Sequence, residues 1–534
     1  MASVQLPPFI TTPVDDIPSI VNRVRQTFYS QKTRPLDFRL QQLRKLYWAI
    51  TDHEKELVEA CQQDLGKGIF DAMVSEIDWV RNDIIFVTKN LKKWAKDEKP
   101  ADIALSNRLM SPRIRKDPLG VVLVIGAFNF PVNLSFGPMI GAIAGGNTVV
   151  LKPSEQSSNC AAVMQKIVQE ALDPDAYTVV QGAIPETSAL LEQKWDKIFF
   201  TGSVRTARIV SQAAAKNLTP VALELGGRNP AFVTKKADVR LAARRLLWSK
   251  TMNAGQVCIS QNHTLVDKEV VPVFIAEMKA ALKEFYPDGA KKSADYARIV
   301  NDASFNRIKK MLDKTGGKIV VGGTMDAEQR FIEPTVVQVS SPSDALLTEE
   351  SFGPLIPILP VDDLDQAIKI ANELHETPLG VYAFGSKAET DKILAGTRSG
   401  GATVNDGFFH GIIPTLAFGG VGDSGTGAYR GKASFDCFTH ARSIARTPSW
   451  MESLLAVRYP PYAGTDKLKQ FNRMGKLSPN FDREGREKLS LFWYIATLGA
   501  GSLSGGAIRA AVLSGFYAVL RVVLQNKSLK FERK

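Results

Sequence analysis

Residues 251–260 read T-M-N-A-G-Q-V-C-I-S and hold a side chain able to do covalent chemistry, the thiol of Cys258. The Asn-Ala-Gly before it ends a helical pattern and frees the backbone, so the sulfur belongs on a loop facing a cleft. A thiol so placed is a candidate nucleophile. Polar groups elsewhere could serve beside it. Asn129, in G-A-F-N-F-P, places an amide just after an apolar run. Lys152 and Glu155, in K-P-S-E, point toward the same side, with Ser154 as a helix cap between them. Gly202 and Ser203 precede a helix whose free N–H groups make a seat for phosphate. Glu224 is a carboxylate followed by the pair Gly226-Gly227, which lets backbones approach closely. Singly, each has a plain structural explanation: a free Cys is more often a small core hydrophobe, and a surface Lys, a cap or a solvated Glu covers the rest.

Those groups need a frame. Upstream of Cys258, Asp238 is a fitting N-cap, and Val239, Ala242, Ala243, Leu246 and Leu247 recur at helical spacing. From about residue 17 to 96 the pattern is helical and amphipathic, with Leu40, Leu43, Leu46, Trp48, Leu57, Val58 and Cys61 as its apolar positions. After a polar, Pro-bearing break come five short apolar runs, 121–125, 148–151, 178–180, 198–200 and 221–223, separated by helical segments. That is the signature of a parallel sheet buried on both faces, which binds nucleotides beyond the carboxyl ends of its strands. Neither GxGxxG nor a Walker-type loop follows any of these runs, which disfavours a simple Rossmann dehydrogenase and a P-loop ATPase.

Hydrophobic content of 44% with 23% charged residues is that of a soluble globular chain, and 534 residues allow two or three domains. The four Cys lack CxxC spacing and the five His lack HExxH or HxH spacing, so we expect neither a disulfide framework nor a metal. The net charge of +12 would suit nucleic acid if it were spread over the fold. Instead, residues 446–534 carry 15 Lys and Arg against 6 Asp and Glu, leaving +3 for the rest. A basic tail on a balanced body points to an anionic membrane and not to nucleic acid. No secretory signal opens the chain.

In order and spacing, F-N-F-P, L-K-P-S-E, F-T-G-S, L-E-L-G-G, G-Q-V-C, E-E-S-F-G-P and F-G-G-V-G-D-S-G resemble the aldehyde dehydrogenase superfamily across about residues 33–461. T-R-P-L-D-F-R, P-L-G-V-V-L-V-I-G, the run at 427–436 and R-Y-P-P at 458–461 resemble its class 3 branch, which includes the fatty aldehyde dehydrogenases. The resemblance implies that Cys258 attacks an aldehyde carbonyl, that the tetrahedral adduct expels hydride to a nicotinamide, and that the remaining thioester is hydrolysed. It implies an amide from Asn129 and the N–H of Cys258 on the developing oxyanion, and Glu224 as general base. It places Glu350 on the nicotinamide ribose with Phe352 nearby, Lys152 and Glu155 on the adenosine ribose, and Gly202 and Ser203 at the pyrophosphate. A carboxylate at Glu155 would repel a 2′-phosphate, favouring NAD over NADP. For the thiolate to form near neutral pH, Cys258 should sit in an electropositive setting.

Two positions depart from the pattern. Ala207 stands where a second Gly is usual, and its methyl could crowd the pyrophosphate; Arg228 stands where Lys is usual, with a larger head. The loop 406–416 lies where relatives line the aldehyde entrance, and its Phe408, Phe409, Ile412 and Ile413 suit an alkyl tail. Residues 489–508 run 20 positions without a charge, long enough for a marginal membrane span, with Arg509 snorkelling and 510–524 at the interface.

We therefore expect an α/β protein. A doubly wound NAD-binding domain takes 1–97 and 118–223, and a catalytic α/β domain takes 224–418. Segments 98–117 and 419–445 form bridging and oligomerisation strands, and a basic tail occupies 446–534. The expected activity is NAD-dependent oxidation of long-chain aldehydes by a homodimer. It would be membrane-associated with its catalytic domain facing the cytosol, on endoplasmic reticulum, outer mitochondrial membrane or lipid droplet. Alternatives are a small or aromatic aldehyde as substrate, an acyl-CoA-forming relative, and a catalytically silent membrane scaffold.

Overall fold

The computed structural model describes residues 4–475 except 102 and 104, together with 479–487, 495, 498 and 503–531. The chain divides into two compact units, one of Met1–Lys99 with Arg113–Ile444, the other of Pro100–Pro112 with Ala445–Lys534. The first unit opens with helices Ile17–Tyr29, Leu36–Asp52, Glu54–Leu65 and Asp78–Trp94. Leu40, Leu43, Leu46, Leu57 and Cys61 from their apolar faces join one core with Val122, Val124, Val149 and Leu151. Trp48 departs from expectation and is 62% exposed. It follows Leu46 by two residues, which turns it away from the face that Leu43 and Leu46 share.

Strand β1 (Arg113–Pro118) leads into β2 (Val121–Ile125), β3 (Thr148–Lys152), β4 (Tyr177–Val179), β5 (Lys197–Gly202) and β6 (Val221–Leu225). The last five are the apolar runs read from the sequence, and β2 and β3 are buried at every position. A second group follows: β7 (Pro230–Val233), β8 (His263–Asp267), β9 (Lys318–Val321), a hairpin of β10 (Met325–Asp326) and β11 (Phe331–Ile332), then β12 (Thr335–Gln338), β13 (Leu355–Val361), β14 (Gly380–Phe384) and β15 (Gly401–Val404). β16 (Gly425–Thr426) and β17 (Thr439–Ile444) close the unit.

The first sheet has the order β16-β6-β5-β2-β3-β4, parallel except for β16. Strand order therefore reverses between β2 and β5, the crevice where doubly wound sheets take ligands. Register brings the polar strand ends side by side: Ile125 pairs with Lys152 and with Phe200, and Thr201 pairs with Glu224. The second sheet, β15-β14-β7-β8-β13-β12-β9, is parallel except for β9, and β1 pairs antiparallel with β17 as a two-stranded ribbon.

In the second unit a helix runs from Leu503 to Phe531. No helix among the described residues is long and apolar enough to cross a membrane. Of the expected span 489–508, positions 489–494, 496–497 and 499–502 lie outside the described residues. Its last six residues form the start of a helix that continues through Arg509 and Arg521 instead of ending before them. Ile508, Val512, Leu513, Phe516, Tyr517 and Val519 are exposed along it.

Candidate active site

The helix Val239–Thr251 carries the nucleophile loop, and Asp238 caps it by accepting the Leu241 N–H at 2.9 Å. The helix ends before the glycine that was expected to stop it. Asn253 and Ala254 already take left-handed backbone angles, φ 48° and 50°, followed by Gly255 at 74°. Ala254 has no propensity for that region, so neighbours must hold the turn. Gln256 does much of it: its amide donates to the carbonyls of Asn253 at 3.1 Å and Arg298 at 3.0 Å, and its Oε1 accepts from Val300 N–H at 3.0 Å. Asn229 Nδ2 donates to the carbonyls of Cys258 and Ser260, both at 2.8 Å. Cys258 as a residue is half-buried.

Asn129 meets this loop directly. Its Nδ2 donates to the Gln256 carbonyl at 3.0 Å, and its own carbonyl accepts from Asn253 Nδ2 at 2.8 Å. The segment around Glu350 closes on the loop from another side. A Cβ on Gly226 would collide with the Glu350 carboxylate, and one on Gly255 with the Gly353 carbonyl. Arg307 fastens the segment by donating to the carbonyls of Glu350 at 3.1 Å and Ser351 at 2.6 Å. Lys250 Nζ donates to the Gln261 carbonyl at 2.8 Å and lies 3.5 Å from Ser351 Oγ. Arg228 donates to the Thr348 carbonyl at 3.0 Å, so its larger head is used structurally. Neither Arg307 nor Lys250 carries a local sequence signal; their roles exist only through contacts between separate segments.

The electrostatics differ from expectation. Burial pushes the Cys258 thiol up to about 12, helped by the Glu350 and Glu224 carboxylates. The setting is acidic rather than electropositive, and the N–H groups of Ile259 and Cys258 only partly oppose it. The expected positive neighbour is absent from the groups acting on the thiol: burial pushes Lys250 down to about 7, and Arg307 serves the carbonyls of Glu350 and Ser351. Burial also holds the Glu224 carboxyl well above the usual carboxylate range, with neither oxygen bonded to protein. Glu350 is raised to about 7 by burial, moderated by the Gly227 N–H and by Lys250 and Arg307.

Of the residues expected to hold a dinucleotide, Lys152, Glu155, Gly202 and Ser203 lie at the carboxyl ends of the first sheet, and Glu350 and Phe352 on the segment before β13. Lys152, 3% exposed, donates to Glu155 at 2.8 Å, and Ser154 caps by accepting from Gln156 N–H. Ser203 caps the helix Val204–Ala215 through the Thr206 N–H. At adjacent strand ends the buried Thr201 Oγ1 and both Glu224 oxygens lack protein partners, as a polar ligand site would leave them. These groups fit a dinucleotide. The Ala207 methyl does not crowd the opening, because Ala207 packs inward with Ile198, Phe200 and Val210. Phe352 takes φ 45° and stacks edge-to-face on Phe128, ring centroids 5.8 Å apart.

Beside the loop lies a largely apolar groove of about 480 Å³ walled by Phe70, Val74, Trp248, Met252, Phe285 and Tyr286, with the polar Asp71, Thr251 and Asp295 also lining it. Trp248, Met252, Phe285 and Cys258 all pack on one apolar cluster with Val257 and Phe408. Of the four residues expected to line the substrate path, none lines this groove. Phe408 is 3% exposed and packs on Trp248 with ring centroids 5.6 Å apart, and Phe409 lies 6.1 Å from the same ring. Ile412 is half-buried, its carbonyl accepting from Arg430, and Ile413 is exposed.

Residues 10–444 match the model of the aldehyde dehydrogenase family. The chain is 52% identical to Beta-apo-4'-carotenal oxygenase of Neurospora crassa, over 97% of this chain and 98% of that protein. It is 44% identical to the dimeric NADP-preferring aldehyde dehydrogenase of Mus musculus, over 84% and 98%. With aldehyde dehydrogenase family 3 member A2 of Pongo abelii it shares 42% identity, over 85% and 94%. Among solved structures, substrate-bound AldH of Staphylococcus aureus superposes with a TM-score of 0.82 at 38% identity, covering 86% of this chain and 99% of that one.

Proposed function

This chain belongs to the aldehyde dehydrogenase family and oxidises aldehydes to acids, and from that premise we propose that its substrates are long, apolar aldehydes and its preferred cofactor NAD. The observation that carries the substrate reading is the apolar groove, which shares a packed cluster with Cys258. A groove of about 480 Å³ lined mainly by aromatic and aliphatic side chains, with Asp71, Thr251 and Asp295 among them, suits an alkyl tail on its apolar part.

Cys258 attacks the carbonyl carbon. Its proton must leave first, since the thiol is held up to about 12. Glu350, at about 7, is part-ionised at neutral pH and able to take that proton. Glu224, whose free oxygens face no protein donor, is the base for the water that cleaves the thioester. The Asn129 amide and the Cys258 N–H stabilise the oxyanion. When bound, the dinucleotide supplies the hydride acceptor, held by Lys152, Glu155, Gly202, Ser203, Glu350 and Phe352. Glu155 argues for NAD, against the preference named for the mouse relative. The first sheet with its covering helices is the cofactor-binding part, the second sheet the catalytic part, and the β1–β17 ribbon the bridging element of a homodimer, as that relative's name suggests for itself.

The tail, with its basic excess and the exposed apolar residues of the helix Leu503–Phe531, binds a membrane and leaves the catalytic domain facing the cytosol. Carbonate extraction of the full chain and of a truncation at Asp482 tests this: only the former should pellet. A second reading of the substrate, an apocarotenal, is favoured by the Neurospora crassa relative, whose match at 52% identity covers 97% of this chain and so reaches into the tail. Parallel kinetics with hexanal, hexadecanal and β-apo-4'-carotenal, each with NAD and NADP, test both. Efficiency should climb with tail length; a flat or falling series removes the long-chain assignment.

A further inference from the structure

The ion pair Lys67–Glu76 has both side chains fully enclosed, and the proposed chemistry does not use it. Lys67 Nζ lies 2.6 Å from Glu76 Oε1 and donates to the carbonyl of Asn129 at 2.9 Å. Its ammonium also sits 4.1 Å from the centroid of the Phe130 ring. The other Glu76 oxygen, Oε2, accepts from the N–H groups of Val132 at 3.1 Å and Asn133 at 3.0 Å. Asn133 Nδ2 in turn donates to the Ser75 carbonyl at 3.1 Å. The pair thus grips both ends of the short segment 129–133, together with Asn253, which donates to the same Asn129 carbonyl. Burying two charges to hold a loop is expensive, and apolar residues of similar size often serve stability as well or better. What the pair supplies that packing cannot is a directed hydrogen bond to one carbonyl.

We infer that Lys67 is a positioning residue for Asn129: with Glu76 it fixes the Asn129 main chain so that the side-chain N–H not given to Gln256 faces the carbonyl oxygen reacting at Cys258. This rests on the reading of Asn129 as oxyanion donor. Lys67 touches neither substrate nor cofactor, and its effect passes wholly through the amide it aims.

The test uses the full chain with Lys67→Met combined with Glu76→Gln, which removes both charges together, and Lys67→Arg, which keeps charge and donors. A misplacement of about 1 Å at a reacting group costs about a hundredfold in rate, so kcat of the double variant should fall by about that factor. NAD affinity by fluorescence titration should stay within about twofold, and so should the rate at which iodoacetamide alkylates Cys258, a displacement that develops no oxyanion. Lys67→Arg should recover at least part of the lost kcat. Adding Asn129→Ala to the double variant should cost far less than it does alone, because residues acting as one unit are not additive. An unchanged kcat in the double variant overturns the inference while leaving the aldehyde chemistry standing. A fall in kcat matched by equal falls in alkylation and NAD affinity also overturns it, by showing a merely structural role. If the double variant does not fold, Glu76→Gln alone takes its place: a kcat that falls with NAD affinity and alkylation kept is expected, and an unchanged kcat or an equal fall in all three overturns the inference. Absence of NADH formation by the wild-type chain removes the underlying reading, and this inference with it.

Discussion

The side-chain amide of Asn129 donates to the main-chain carbonyl of Gln256 at 3.0 Å. A residue that follows a strand of the first sheet is thereby tied two positions ahead of Cys258, on the loop that leads into the second. The bond orients one amide N–H and leaves the other to point elsewhere, which is what an oxyanion donor requires.

Asn129→Ala should lower kcat by about a hundred- to thousandfold, the usual loss on removing one such donor. The NAD dissociation constant should change little, since Lys152, Glu155 and Ser203 lie on other strand ends. Steady-state kinetics beside a direct binding titration separates the two effects. An equal loss in both would mean that Asn129 holds the cofactor site together instead.

Glu350 gives a pH dependence whose sign is fixed. Its carboxyl titrates near 4.5 when unfolded and at about 7 in the folded chain. Between those values the native state binds more protons, so stability falls as pH rises and the cost is complete above about pH 7. Glu350→Gln should therefore raise Tm relative to wild type at pH 8 and leave it nearly unchanged at pH 5. Thermal melts at the two values measure this, and an equal shift at both would contradict the raised carboxyl.

Trp248 forms a wall of the apolar groove and is backed by Phe408 and Phe409. Each methylene buried is worth about 0.8 kcal/mol, or about fourfold in kcat/KM per carbon. Trp248→Ala should reduce kcat/KM for hexadecanal by tenfold or more relative to hexanal, flattening the chain-length series. A uniform loss across all lengths would place the tail elsewhere.

Much of this site is legible in local sequence because its supports are local. Strand cores show as continuous apolar runs, Asp238 and Ser154 announce the helices they cap, and Cys258, Glu224 and Glu350 sit in motifs. What was not legible depends on distant partners. Lys67, in D-L-G-K-G, reads as a surface residue, yet it is buried because Glu76 and the Asn129 carbonyl are there to receive it. Arg307 reads as a solvated helical Arg and instead clasps the Glu350 segment. The groove joins Phe70, Trp248 and Tyr286 from three separated helical regions, which no periodicity connects. The acidic surroundings of Cys258 were missed for the same reason: motifs name the carboxylates but not which cations remain free to balance them.

The most direct measurement is NADH production from hexadecanal by the purified full-length chain and by Cys258→Ser, with intact mass taken during turnover. The wild-type chain should form NADH and accumulate an acyl adduct on Cys258, while Cys258→Ser should lose turnover and adduct alike yet still bind NAD. Sustained NADH formation by Cys258→Ser, or an adduct on another cysteine, would contradict the assignment of this sulfur as the nucleophile.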